Sequence, residues 1–159
     1  MVIFDMSNIK NEYQKLSKRY SLPLFEKIDN EFEISTIENE KFLLRQIRRR
    51  IIEKLEVIIK LFDELIQPEA SSYAQIYEYK AFEEEEKKEV YNLYKKLLAF
   101  YREAFVIDIQ TDEKKEADFF KRLFDLWLEE KEKIIKIINK IKQSWETESK
   151  SDEELGYFG

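Results

Sequence analysis

Apolar residues return every three or four positions along most of this chain, and the interruptions of that rhythm divide it into helices. Ile9, Tyr13, Leu16 and Tyr20 mark a first helix from Ser7 to Tyr20. Ser7 can cap its start, and Pro23 closes it, because a residue before proline is pushed out of the α region. Leu22 to Ile34 then carries Leu24, Phe25, Ile28, Phe32 and Ile34, a pattern that fits either a short helix or an irregular segment laid over the core. Ser35, with Glu38 three residues on, reads as a capping box opening a second helix. Leu44, Ile47, Ile51, Leu55, Ile58, Phe62 and Leu65 form one stripe down it as far as Pro68. That helix is about 30 residues long, roughly 45 Å.

Glu69 to Phe82 reads as a linker whose aromatic content (Tyr73, Tyr77, Tyr79, Phe82) predicts packing onto the body. A third helix is predicted from Glu83 to about Phe105, burying Val90, Tyr91, Tyr94, Leu97, Leu98, Tyr101 and Phe105. The stretch VIDIQTD (Val106 to Asp112) breaks the period. Asp112 can cap a fourth helix reaching about Trp145, along which Phe120, Phe124, Trp127, Ile134, Ile138, Ile141 and Trp145 follow one another. Long helices with short turns predict an all-α fold, an antiparallel bundle of about four long amphipathic helices. Residues 1–147 are expected to form one domain, and residues 148–159 a flexible acidic and aromatic tail.

Composition sharpens this picture by exclusion. The 159 residues contain no Cys and no His, and their two glycines, Gly156 and Gly159, both lie in the last four positions. Without Cys or His there is no disulfide framework, no thiol or Ser-His-Asp catalysis, no usual zinc site and no Glu-x-x-His di-iron site. Without earlier glycine there is no phosphate-binding loop, no dinucleotide-binding turn and no EF-hand. Glu83 to Glu86 is the densest carboxylate run, but it reads as the solvated first turn of a helix, where negative charge is favoured. No metal, cofactor or catalytic residue is therefore expected. The N-terminus lacks the basic and long apolar regions of a signal peptide, and no apolar run approaches a membrane span, so a soluble cytoplasmic protein is expected. Enrichment in Lys, Glu and Ile also fits a heat-adapted source.

The net charge of −6 is unevenly placed. Between Lys41 and Lys60 seven basic residues face only Glu53 and Glu56, a local net of +5. Four of the seven arginines, Arg45, Arg48, Arg49 and Arg50, lie within six positions. Ile47 and Ile51 face the core in this pattern, so Arg45, Arg48 and Arg49 are expected on the flank and outer face. There they could hold phosphates or the carboxylates of a partner; the alternatives are pairing with the chain's own Glu83–Glu86 or a simple exposed face. The second surface is the end of the chain, SDEELGYFG, where Leu155, Tyr157 and Phe158 stand behind an acidic run as a candidate docking peptide.

NEKFLLRQIRRRIIEKLEVIIKLFDELIQP (Asn39 to Pro68), followed by FEEEEKKEVYNLYKKLLAFYREAF (Phe82 to Phe105), resembles the helical A domain of GINS subunits. Arg45, Arg48, Arg49, Glu84, Glu85, Tyr91, Tyr94, Leu97, Leu98 and Tyr101 carry the likeness, over about 65 residues. The resemblance implies a non-enzymatic scaffold that assembles through helical domains at the DNA replication fork. The small β domain usual in that family has no counterpart after Asp112. Expected partners are therefore proteins, in a homo- or hetero-oligomer, with nucleic acid reached through a complex and no membrane. The alternatives are a nucleic-acid-binding helical module using Arg45 to Arg50, and a proteasome-docking protein whose last residues, Tyr157, Phe158 and Gly159, would enter the ring.

Overall fold

A computed structural model describes residues 6–147, and the described residues form six α-helices with no β-strand among them. They are α1 (Met6–Tyr20), α2 (Phe25–Phe32), α3 (Leu43–Ile66), α4 (Tyr73–Lys80), α5 (Glu84–Gln110) and α6 (Glu113–Glu146). The all-α expectation holds. A 3-10 turn at Ile34–Thr36 sits between α2 and α3.

Two expected helix boundaries are corrected. Ser35 does not cap α3: its backbone N–H donates to Asp29 Oδ1 at 2.7 Å, and α3 opens only at Leu43. Ile34 and Ile37 are both buried, which holds the intervening residues in a tight turn against the core instead of a helix. VIDIQTD does not break α5, which continues to Gln110. Burial of Ile107 and the pairing of Asp108 with arginines of α3 outweigh the weak helix propensity of the β-branched residues. Asp112 does cap α6, its Oδ1 accepting the Lys115 N–H at 3.0 Å. The expected linker contains α4, capped by Ser72, whose hydroxyl accepts the Gln75 N–H.

A chain without glycine in its body must turn with other residues. Ser21, Glu33, Phe42 and Thr111 all adopt positive φ, between 49° and 54°. Ser21, Glu33 and Thr111 follow α1, α2 and α5, and each N–H bonds back to the carbonyl four residues earlier, the left-handed stop that glycine usually supplies. Each such residue carries a left-handed penalty of about 1–2 kcal/mol.

The chain divides into two compact units. The first comprises, of the described residues, 6–56 together with Ala99–Leu128. Its core includes Ile9 and Tyr13 of α1, Ile28 and Phe32 of α2, Ile47 and Ile51 of α3, Ile107 of α5, and Phe119, Phe120 and Phe124 of α6. Phe32 meets Trp127 at 5.3 Å and Phe124 at 6.4 Å between ring centres. The Tyr13 hydroxyl donates to the Pro23 carbonyl, fixing the turn after α1, and burial pushes its phenol pKa up.

The second unit comprises Val57–Leu98 and, of the described residues, 129–147. Ile58 and Phe62 of α3, Tyr77 of α4, Val90, Leu93 and Leu97 of α5, and Ile134 and Ile141 of α6 are buried there. The Trp145 ring stacks on Tyr77 at 4.2 Å, so the aromatic linker does pack onto the body. The buried Glu130 carboxylate accepts a hydrogen bond from Lys96 at 2.7 Å, which holds its pKa below the usual carboxylate range.

The predicted face of α5 is rotated. The buried line is Val90, Leu93, Leu97, Ala104 and Ile107, whereas Tyr91 and Phe105, expected inside, are 46% and 47% exposed. The buried face follows the smaller residues because α5 is apolar on more than one side, and only one side faces the core.

Candidate interaction face

The arginine cluster opens α3, in the first unit, and its four members have four different surroundings. Arg48 is buried, contrary to its expected outward placement: it is only 3% exposed. Its Nε donates to Glu116 Oε2 at 2.7 Å and its Nη2 to Asp108 Oδ1 at 2.8 Å. The reason is helical geometry: Arg48 is one residue from Ile47 and three from Ile51, both fully buried, so its stem starts at the edge of the core. Burial pulls its pKa down, but the hydrogen bonds to Glu116 and Asp108 outweigh this and the net direction is upward.

Arg50 turns to the segment before α3, donating to the Glu33 carbonyl at 2.6 Å and to Thr36 Oγ1. Arg49 stays on the surface and shares Asp108, from Nη2 at 3.0 Å. Hydrogen bonds from Arg48 and then Arg49 hold the Asp108 carboxyl below its ordinary range. Arg45 lies over the ring of Phe42 at 4.8 Å, and no carboxylate among the described residues pairs with it.

These contacts define a face. Arg45 and Arg49 are four residues apart and share one side of α3. On α5, Tyr101, Phe105 and Asp108 are separated by four and three residues and share one side, with Ile109 adjoining. The Arg49–Asp108 pair brings the two sides together. Phe105 and Ile109 are exposed, Ile109 at 82%. Arg102 sits over the rings of Tyr101 and Phe105 at 5.6 and 5.7 Å, also without a carboxylate partner among the described residues. A second exposed ring, Phe42 at 71%, stands beside Arg45. A cleft of about 460 Å³ adjoins it, with Leu16, Leu43 and Leu44 on its wall alongside Glu40, Glu113 and Glu116.

Guanidinium groups resting on aromatic rings, free of carboxylates and next to exposed apolar side chains, can hold an acidic apolar ligand from both sides at once. The rings bury its apolar groups while the guanidiniums pair with its carboxylates or phosphates. Of the residues expected to make such contacts, the structure places Arg45 and Arg49 on this face and Arg48 beneath it. Leu155, Tyr157 and Phe158 lie outside the described residues. Phe42, Arg102, Phe105 and Ile109 were not anticipated in this role. For Phe105 and Ile109 the signal is AFVIDI (Ala104 to Ile109), where five apolar residues in six exceed what one buried helix face can take.

The acidic run does not gather into a site. Glu84 and Glu85 pair with Lys87 and Lys88, and Glu86 with Lys140. Glu86 also accepts the Glu83 N–H at 3.0 Å, closing the first turn of α5. Among the described residues no group of three or more acidic side chains is placed to hold a metal ion, and no helix is long and apolar enough to cross a membrane. No protein-family model, curated protein or solved structure matches this chain.

Proposed function

We propose that this chain is a cytoplasmic, non-enzymatic helical scaffold subunit of a multiprotein complex, of the GINS-like kind that its sequence resembles. The observation that carries this role is the exposed arginine–aromatic face of the first unit, where Phe105 and Ile109 meet water beside Arg45 and Arg102, which have no carboxylate partner among the described residues. A partner would bury those side chains, and the rings and arginines are the residue types that dominate protein interfaces. In this proposal α1, α3, α5 and α6 form an antiparallel bundle; the connection from α5 to α6 spans only Thr111 and Asp112, which favours antiparallel neighbours.

Size-exclusion chromatography with light scattering, joined to affinity capture from source lysate, tests this role. The expected result is an assembly that Phe105→Ser and Arg45→Glu weaken while far-UV circular dichroism stays unchanged. A monomer at every concentration, with no recovered complex sensitive to those substitutions, refutes it. The stacking of Arg45 and Arg102 on exposed rings favours one second reading, a platform for single-stranded nucleic acid. Binding of an oligo-dT strand that falls steeply with salt and weakens on Arg45→Ala would support that reading.

A further inference from the structure

We infer that the cleft beside Phe42 is a self-association surface, in which two copies of this chain, related by a twofold axis, each place the Phe42 ring in the other's cleft. The inference deepens the scaffold reading by naming a second copy as one partner, and it rests on that reading for the assembly role alone. Phe42 is the odd member of the positive-φ residues. Ser21, Glu33 and Thr111 end helices, whereas Phe42, at φ 51°, precedes α3. A bulky residue in that region is a steric outlier, and here it puts a phenyl ring 71% into water. The surroundings hold it there. Asn39 Oδ1 accepts the Lys41 N–H at 3.0 Å, Gln46 Nε2 donates to the Asn39 carbonyl at 2.9 Å, and the Phe42 carbonyl accepts the Gln46 N–H at 3.1 Å. Arg45 covers the ring at 4.8 Å. Backbone strain of this kind persists where surrounding structure enforces it, and it gathers at sites that bind.

A hole adjoins this knob, and both lie in the first unit. The cleft of about 460 Å³ has Leu16, Leu43 and Leu44 in its wall. Pockets of about 300–1,000 Å³ hold whole small ligands, so one phenyl ring fits. Phe42 stands at the rim with its own ring in water, so a ring inside the cleft comes from another molecule. Charge selects a second copy as that molecule. Among the acids of the cleft, Glu113 is held by Arg19 and Glu116 by Arg48, each at 2.7 Å, and Asp112 caps α6. Glu40 has no ion-pair partner among the described residues, and Glu12 reaches Lys15 only at 4.0 Å. Lys41 and Arg45 likewise have no carboxylate partner among the described residues. Two available carboxylates and two available cations therefore line one cleft. An acidic peptide or a nucleic acid would meet Glu12 and Glu40, and a basic peptide would meet Lys41 and Arg45. A patch that bears both signs finds its complement in its own copy, because a twofold axis sets residue i against j and j against i. Glu40 and Lys41 adjoin Phe42, so exchange of the rings brings Glu40 of each copy to Lys41 of the other.

Sedimentation velocity on the full chain, from about 1 μM to 1 mM, tests this. A reversible monomer–dimer equilibrium is expected. Phe42→Gly should raise its dissociation constant about tenfold or more. Thermal stability of that variant should hold or rise, because glycine accepts positive φ without strain, and this separates a lost knob from a lost fold. Glu40→Lys and Lys41→Glu should each weaken the dimer several-fold, since each sets like charges against one another across the axis. Mixing those two variants in equal amounts should restore it, because each then meets the opposite sign. Restoration in trans is a response that a structural role within one chain does not produce.

The inference is overturned if the chain stays monomeric to about 1 mM, if Phe42→Gly leaves the dimer intact, or if mixing the charge variants restores nothing. A dimer broken by Phe105→Ser but not by Phe42→Gly assigns self-association to the arginine–aromatic face, so the exchange of rings falls and the scaffold reading stands. If Phe42→Gly breaks the dimer while no captured complex responds to Phe105→Ser, the exchange stands and the partner role of the arginine–aromatic face falls.

Discussion

Replacing Arg48 by methionine isolates the charge at the base of the interaction face, because methionine keeps most of the buried stem and removes the guanidinium. Two carboxylates lose their partner, but unequally. Glu116 is 7% exposed and remains largely cut off from water, whereas the Asp108 side chain is 42% exposed and can rehydrate. Breaking a buried pair from one side costs about 3–5 kcal/mol. Rehydration of Asp108 places this case at the lower end, about 3 kcal/mol, or a fall in Tm of about 6–12 °C for a chain of this size. Urea and thermal unfolding followed at 222 nm measure it. The double variant Arg48→Met/Glu116→Leu removes the stranded charge and should recover most of the loss, since an apolar pair can replace a buried ion pair at little cost. A single-variant cost below about 1 kcal/mol would refute a buried, fully engaged Arg48. A double variant as unstable as the single would show that shape, not stranded charge, sets the penalty.

Three further outcomes are expected. Asp108 is held below its ordinary pKa by Arg48 and Arg49, so its contribution is present above the unfolded-state pKa and is lost as pH falls through the depressed native value. Asp108→Asn should therefore flatten the loss of stability below about pH 4 in urea titrations, and an unchanged acid limb counts against the pairing. Thr111→Gly removes a β-branched residue from positive φ at an exposed helix end, so urea unfolding should show a gain of about 0.5–1 kcal/mol after glycine's greater unfolded-chain entropy; a loss would contradict the strain. Trp145→Ala removes the stack on Tyr77 and the bond to Glu78, but the ring is half in water, so the cost should be about 1–2 kcal/mol with a reduced near-UV aromatic signal; an unchanged melt refutes the stack's contribution.

Helices were legible wherever periodicity and end signals agreed, as at α1 with Pro23 behind it and at α6 with Asp112 before it. Ser35 and Glu38 fit a capping box perfectly well in sequence, but Ile34 and Ile37 had to be buried together, and local signals give way to that. The stop of α5 at Thr111 is marked by neither glycine nor proline, only by the adjoining cap of the next helix at Asp112, so the start of α6 could be placed and the full length of α5 could not. On the candidate site, clustering of arginines showed where charge is dense along the chain but not where it is free. That depends on Glu33, Asp108 and Glu116, which are distant in sequence and whose pairing only the tertiary fold sets.

The division of labour among those arginines bears on what the face can recognise. Arg48 pins α3 to the end of α5 and the start of α6 from below, and Arg50 ties α3 to the turn before it. Neither can reach a ligand without releasing a partner. Arg45 and Arg102 each rest on rings with no carboxylate partner among the described residues, so a ligand's anion pairs with them without breaking an ion pair to those residues. Arg49 is intermediate, because Asp108 keeps its bonds to Arg48 if Arg49 turns away. The face therefore offers anchored geometry from the buried arginine and available charge from the two stacked ones. A ligand that only neutralised phosphate or carboxylate charge would gain little at such exposed cations. One that also covers Phe105 and Ile109 gains apolar burial at about 25 cal/mol per Å², and this is why rings next to acids suit the face better than acids alone.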